Sequence, residues 1–110
     1  MSIQHKDLAQ GRWQKMPFLE QMSNIGSEIQ RAVNWKKKNN IEYSNKASVR
    51  ALELIDITLD NLSGFARLKE ICRLREAVVD YFFYSNQFKS TDGSWERYFL
   101  SFTYAARKHT

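Results

Sequence analysis

Phe18, Met22, Ile25, Ile29 and Val33 recur at intervals of four, three, four and four residues. An α-helix turns once in ~3.6 residues, so this spacing places all five side chains along one side of a rod. No stretch of useful length alternates apolar with polar residues, as a half-buried strand requires. Breakers are scarce: one proline and four glycines in 110 residues. That scarcity excludes an all-β chain built on many tight turns. A hydrophobic content of 43% excludes a disordered one.

The same logic divides the rest of the chain. Pro17 suits a first helical turn, where its missing N–H does no harm, and the first helix is predicted to run to about Lys38. Gly26 lies inside it, where it allows close packing of a neighbouring helix. Asn39 and Glu42, within the break KKKNN and just after it, have capping-box spacing. They open a second helix predicted over 41–61. Tyr43, Ala47, Ala51, Leu54, Ile55, Thr58 and Leu62 lie along its inner side, widened by Val49, Leu52 and Leu59. Leu62, Ser63 and Gly64 form a short break, and a third helix is predicted over 65–85. The loop NQFKSTDGS follows, with Thr91 or Asp92 capping a fourth helix. The apolar side of that helix is Trp95, Tyr98, Phe99, Phe102, Ala105 and Ala106. The expectation is an all-α, up-down-up-down antiparallel four-helix bundle over 16–110. An N-terminal arm over 1–15, which Trp13 can anchor, precedes it.

The third helix carries an excess. At ~100° per residue, its apolar arc from Tyr81 and Leu74 round to Phe83 is about 200° wide, roughly twice that of an ordinary surface helix. Tyr84 stands outside that arc, and Leu100 and Tyr104 stand off the main stripe of the fourth helix. Exposed apolar patches mark interfaces. The reading is homo-oligomerisation through Leu74, Tyr81, Tyr84, Leu100 and Tyr104, or an N-terminal arm folded over the same surface. Arg75 falls at the centre of the arc. A lone buried guanidinium is costly unless paired. Glu28, Glu53 or Asp56 could meet it; the functional alternative is an anion-binding arginine. Cys72, the only cysteine, lies on the arc and reads as a small core residue.

The groups that carry chemistry are sparse. His5 and His109 sit at the chain ends, away from any packed triad. Glu53 with Asp56, and Glu76 with Asp80, share helix faces and read as solvated salt-bridge partners. No glycine-rich phosphate loop, metal motif or cofactor motif is present, and the chain reads as not an enzyme. One cysteine, no signal-peptide pattern and no apolar run of ~18 residues point to a cytoplasmic protein with no membrane span.

A net charge of +5 favours acidic partners. In an up-down bundle, Lys36, Lys37, Lys38, Lys46, Arg50 and Lys89 gather at one pole. Lys36, Lys37, Lys38, Lys46 and Arg50 are candidate contacts to RNA or DNA phosphates, with Trp35 stacking on a base. Arg12, Lys15, Arg67, Lys69, Arg73, Arg107 and Lys108 gather at the other pole.

Taken together, GRWQKMPFLEQMSNIGSEIQRAVNW, ARLKEICRLREAVVDYFF and SWERYFLSFTYAARK resemble the ribosomal intervening-sequence proteins. That family includes the accessory variability proteins of diversity-generating retroelements. The resemblance covers about residues 11–108 and is architectural rather than motif-exact. It implies a non-enzymatic pentameric barrel of bundles that binds nucleic acid and, in the retroelement case, a reverse transcriptase. The function expected is therefore a homo-oligomeric accessory protein for nucleic acid or a nucleic-acid enzyme. The alternative is a protein–protein adaptor or antitoxin-like partner without nucleic-acid binding.

Overall fold

The computed structural model describes residues 11–108. A short 3-10 turn at Trp13–Lys15 leads into α1 (Phe18–Lys37), α2 (Ile41–Asp60), α3 (Phe65–Phe83) and α4 (Asp92–Lys108). The up-down-up-down four-helix bundle is what these residues form, and no strand occurs among them. Helix α1 packs against both α2 and α4, and α2 also packs against α3. The order around the bundle is therefore α3, α2, α1, α4, with α3 at the outer edge.

The helix ends follow local chemistry. Asn39 adopts a left-handed φ of 60°. Its N–H donates to the Lys36 carbonyl, and the Asn40 N–H donates to the Trp35 carbonyl. This Schellman arrangement satisfies the last carbonyls of α1. The cap of α2 is Asn40, not Asn39: its side chain accepts from the Tyr43 N–H at 3.1 Å. Thr91 caps α4 reciprocally with Ser94. Thr91 Oγ1 accepts from the Ser94 N–H at 3.0 Å, and Ser94 Oγ accepts from the Thr91 N–H at 2.8 Å.

Trp13 does anchor the chain entering α1. It is buried in the core, and its indole N–H donates to Thr58 Oγ1 at 2.8 Å. The Thr58 hydroxyl donates onward to the Leu54 carbonyl at 2.8 Å. The Gln21 amide donates to the Trp13 carbonyl at 2.8 Å. This anchor is on α2, so the described part of the arm does not cover the surplus face of α3. Residues 1–10 of the arm, and His5 and His109, lie outside the described residues.

Small residues bring the helices together. Ala32, Ala47 and Ala51 are fully buried. Ser44 and Ser48, absent from the expected inner face of α2, are buried there too. Their hydroxyls donate to the Ala32 carbonyl at 2.9 Å and the Ser44 carbonyl at 2.8 Å. A serine whose hydroxyl returns to the backbone packs almost like alanine. Tyr43, expected on that face, is exposed.

Gly26 has the role expected of it. A Cβ at this position would lie 2.7 Å from Phe99 Cγ, inside any real contact. Phe99 is held by ring contacts with Trp95 and Tyr98 and cannot retreat freely. Gly26→Ala gains ~1 kcal/mol of helix propensity but suffers ~1–3 kcal/mol of overpacking. The clash should dominate: the urea midpoint is expected to fall at unchanged m-value. Thr58→Val strands the buried Trp13 N–H and should cost ~1–3 kcal/mol in the same assay.

Candidate interaction surface

The basic pole exists, but most of its charge is already engaged. Lys36 Nζ sits 3.9 Å from the Tyr81 ring centroid and 3.4 Å from the Tyr81 carbonyl. Lys37 pairs with Asp92 at 3.5 Å. Lys38 lies 5.2 Å over the Trp35 ring, and Trp35 packs on Tyr43 at 5.0 Å. Lys46 pairs with Glu42 at 3.3 Å. Arg50 meets Glu28 at 3.2 Å, where Glu28 also holds Arg31 at 3.0 Å. Of the six residues expected to contact nucleic acid, Trp35, Lys36, Lys37, Lys38 and Lys46 sit toward one end of the bundle, whereas Arg50 lies midway along α2 against Glu28 at the middle of α1. Lys36, Lys37 and Arg50 fasten α1 to α3, α4 and α2 respectively.

The interface expectation divides. Leu74 and Tyr81 are only 5% and 8% exposed within the single chain. Both belong to the core of the single chain. Tyr84, Leu100 and Tyr104 remain well exposed. Cys72, expected in the core, is also exposed. Arg75 is not buried: it pairs with Asp56 at 2.8 Å on a half-exposed surface. That hydrogen bond holds the guanidinium pKa above its ordinary value. The common cause is that α3 touches α2 along one stripe only. Ile71, Leu74, Val78 and Tyr81 are buried, while Phe65, Leu68, Cys72 and Phe83 on the other side of the arc are not.

Between α3 and α4 the bundle is open. A groove of about 640 Å³ runs there, with Leu74, Ala77, Trp95 and Tyr98 among its walls and Phe88 at one end. Exposed Lys69 and Arg73 also line it. Neither makes an ion pair among the described residues. Long side chains bridge the gap: the Tyr98 hydroxyl donates to Glu70 at 2.9 Å, and the Tyr81 hydroxyl donates to Asp92 at 2.5 Å. The Trp95 indole N–H is buried and meets no acceptor among the described residues.

Asp80, expected in water, fixes the loop that brings Phe88 to this groove. It is buried, and its carboxylate accepts from the Gln87 N–H at 2.8 Å and the Phe88 N–H at 3.0 Å. Asn86, at a φ of 56°, exchanges two side-chain hydrogen bonds with Ser90. The loop is therefore a fixed scaffold that presents Phe88, 57% exposed. Helix spacing could not reveal Asp80's role, because its partners are backbone N–H groups of an irregular segment. Among the described residues, no group of three or more His, Cys, Asp or Glu side chains could hold a metal ion. No described helix is long and apolar enough to cross a membrane.

Two outcomes follow from the groove's polar ties. Asp80→Ala should cost ~1–3 kcal/mol, since it leaves two loop N–H groups without their acceptor. It should also raise amide exchange across residues 84–91. Burial first, and hydrogen bonding to Asp92 and Glu70 second, push the Tyr81 and Tyr98 phenols well above the usual tyrosine value. The unfolded chain then loses these protons before the folded one does. Stability is expected to be undiminished below pH ~10 and to fall as pH rises beyond it. Thermal melts across that range check this, and the Tyr98→Phe chain should show a shallower decline. No family model, curated protein or solved structure matches the chain.

Proposed function

We propose that the protein is a non-enzymatic adaptor whose α3–α4 groove receives an apolar, acid-flanked segment of another polypeptide. The observation that carries this reading is the groove itself. Apolar and aromatic walls lie beside two cations, Lys69 and Arg73, that have no ion-pair partner among the described residues. An amphipathic helix with apolar anchors and neighbouring carboxylates is the complementary shape. The polar groups nearest the aromatic walls, Tyr98 with Glu70 and Tyr81 with Asp92, are already paired with each other. That arrangement suits holding a ligand rather than transforming one.

A second reading, an accessory protein for nucleic acid or for a nucleic-acid enzyme such as a reverse transcriptase, retains one support. Pairs between exposed side chains, such as Lys37 with Asp92 and Lys46 with Glu42, are worth only ~0–1 kcal/mol. Phosphates could displace them. The Arg50–Glu28 pair is less exposed and is harder to open.

The test is site-specific photo-crosslinking from Phe88 in the native host. A stoichiometric polypeptide should map to α3 and α4, and Arg73→Glu should abolish its capture while leaving the fold intact. Filter binding of single-stranded RNA and duplex DNA between ~50 and 200 mM salt separates the readings. Steep salt-dependent binding, lost on changing Lys36, Lys37 and Lys38 to Ala, would reverse the order of the two.

A further inference from the structure

The outer side of α3 carries a second apolar stripe that the described residues leave largely uncovered, with Val79 half-buried within it. It comprises Phe65, Leu68, Cys72, Val79 and Phe83, with Arg75 between Cys72 and Val79. Phe65 is 79% exposed and Leu68 and Phe83 are each 41% exposed. At ~100° per residue these five side chains fall within about 60° of one another, with Arg75 some 20° outside that span. The centre of this stripe lies about 130° from the centre of the buried one.

The stripe has a symmetry that suits one occupant. Extended through Arg75 to Phe82, which is half-buried against the core at the margin of the stripe, the series Phe65, Leu68, Cys72, Arg75, Val79 and Phe82 has intervals of three, four, three, four and three. They read the same from either end, and Phe83 doubles the last position. An antiparallel copy of α3, related by a two-fold axis between Arg73 and Leu74, sets Phe65 against Phe82 and Phe83 of the second copy. It also sets Leu68 against Val79, and Cys72 against Arg75. Lys69 and Glu76 lie on the same edge of this stripe, about 20° apart. Neither forms an ion pair among the described residues. The antiparallel register brings Lys69 close to Glu76 of the second copy, twice by symmetry. A parallel two-fold pair would instead place Lys69 and Glu76 of the second copy on opposite edges of the seam, where they cannot meet. Charges flanking an apolar seam set helix orientation in this way.

We infer that the chain forms an antiparallel two-fold dimer through the outer stripe of α3. The contact is isologous and closes at two copies, unlike the head-to-tail contact that a ring of five requires. Each Arg75 stays neutralised by its own Asp56. One helix seam is smaller than the ~800 Å² per partner of a standard stable interface. The dimer is therefore concentration-dependent. The apolar seam does not rest on the groove, since Leu68 does not line it, but Lys69 borders both surfaces, so Leu68→Glu is the variant that reports on the seam alone.

Sedimentation velocity of the full chain, up to ~1 mM, tests the proposal. The expected result is a monomer–dimer equilibrium. Leu68→Glu should hold the chain monomeric with unchanged helical circular dichroism. Lys69→Glu and Glu76→Lys should each weaken association several-fold, and the double reversal should restore it. Cys72 supplies a second readout in the unmodified chain. The two thiols lie about one helical turn apart across helix axes separated by ~8–10 Å. A short bismaleimide should join them, and because this register brings their Cα atoms to about 6–7 Å, mild oxidation should also give a disulfide-linked dimer. A monomer at every concentration, a pentamer, a dimer indifferent to Leu68→Glu, or a double reversal without rescue would each overturn the inference. Loss of groove cross-linking with the dimer intact would count against the adaptor reading alone.

Discussion

The close approach of α4 to α1 at Gly26 decides most of what is distinctive in this bundle. Phe99 occupies the space that any side chain at position 26 would need. That draws α4 onto α1 and brings Trp95 and Phe99 into the core beside Met22, Ile25 and Ile29. A helix seated so deeply on α1 cannot also close against α3, which is held by α2. The groove follows from that geometry. Tyr81 and Tyr98 are the side chains long enough to bridge it, and each ends on a carboxylate across the gap. Both phenols must therefore stay protonated for the bridge to hold.

Charge is used twice in this chain, and only one use follows from counting residues. The run Lys36, Lys37 and Lys38 is where composition alone points to nucleic acid. In the fold, Lys36 lies over the Tyr81 ring and Lys37 reaches Asp92, so the run ties the end of α1 to α3 and α4. Basic side chains at a helix C-terminus are favourable in any case, because the last carbonyls carry partial negative charge. Lys69 and Arg73 stand farther along, in no run, and they are the cations left without an ion-pair partner on the groove.

Four helices, their approximate ends, the packing role of Gly26 and the anchoring by Trp13 were all legible in the residue pattern. Each is a local or periodic property. Periodicity also showed that α3 has more apolar surface than one neighbour can cover, but not which part would be covered. The wheel is the same whether α2 takes the Ile71 side or the Cys72 side. Burial of Leu74 and Tyr81, and exposure of Cys72 and Arg75, depended on where α2 came to lie. Asp80 illustrates a different limit. Its neighbours in sequence are apolar and its spacing to Glu76 suggests a wet face. Its binding partners are the N–H groups of Gln87 and Phe88, and their positions depend on a loop with left-handed residues at Asn86 and Lys89.

The two uncovered surfaces of α3 need not compete. Ala66, Ala77 and Arg73 face the groove, roughly 80–180° around the helix from the outer stripe, depending on the pair compared. Pairing of two copies along the outer stripe would leave both grooves open on the dimer. A partner offering two matching segments, or itself a dimer, would then engage both. Its second contact would benefit from an effective concentration set by the spacing of the grooves rather than by free diffusion. A shallow groove that holds one segment weakly becomes a selective site under that condition, because only partners with the right spacing gain the second contact. On this view the surplus apolar surface of α3 is what turns a small basic bundle into a bivalent one. Lys69, on the edge between the two surfaces, is the residue through which their charge preferences are linked.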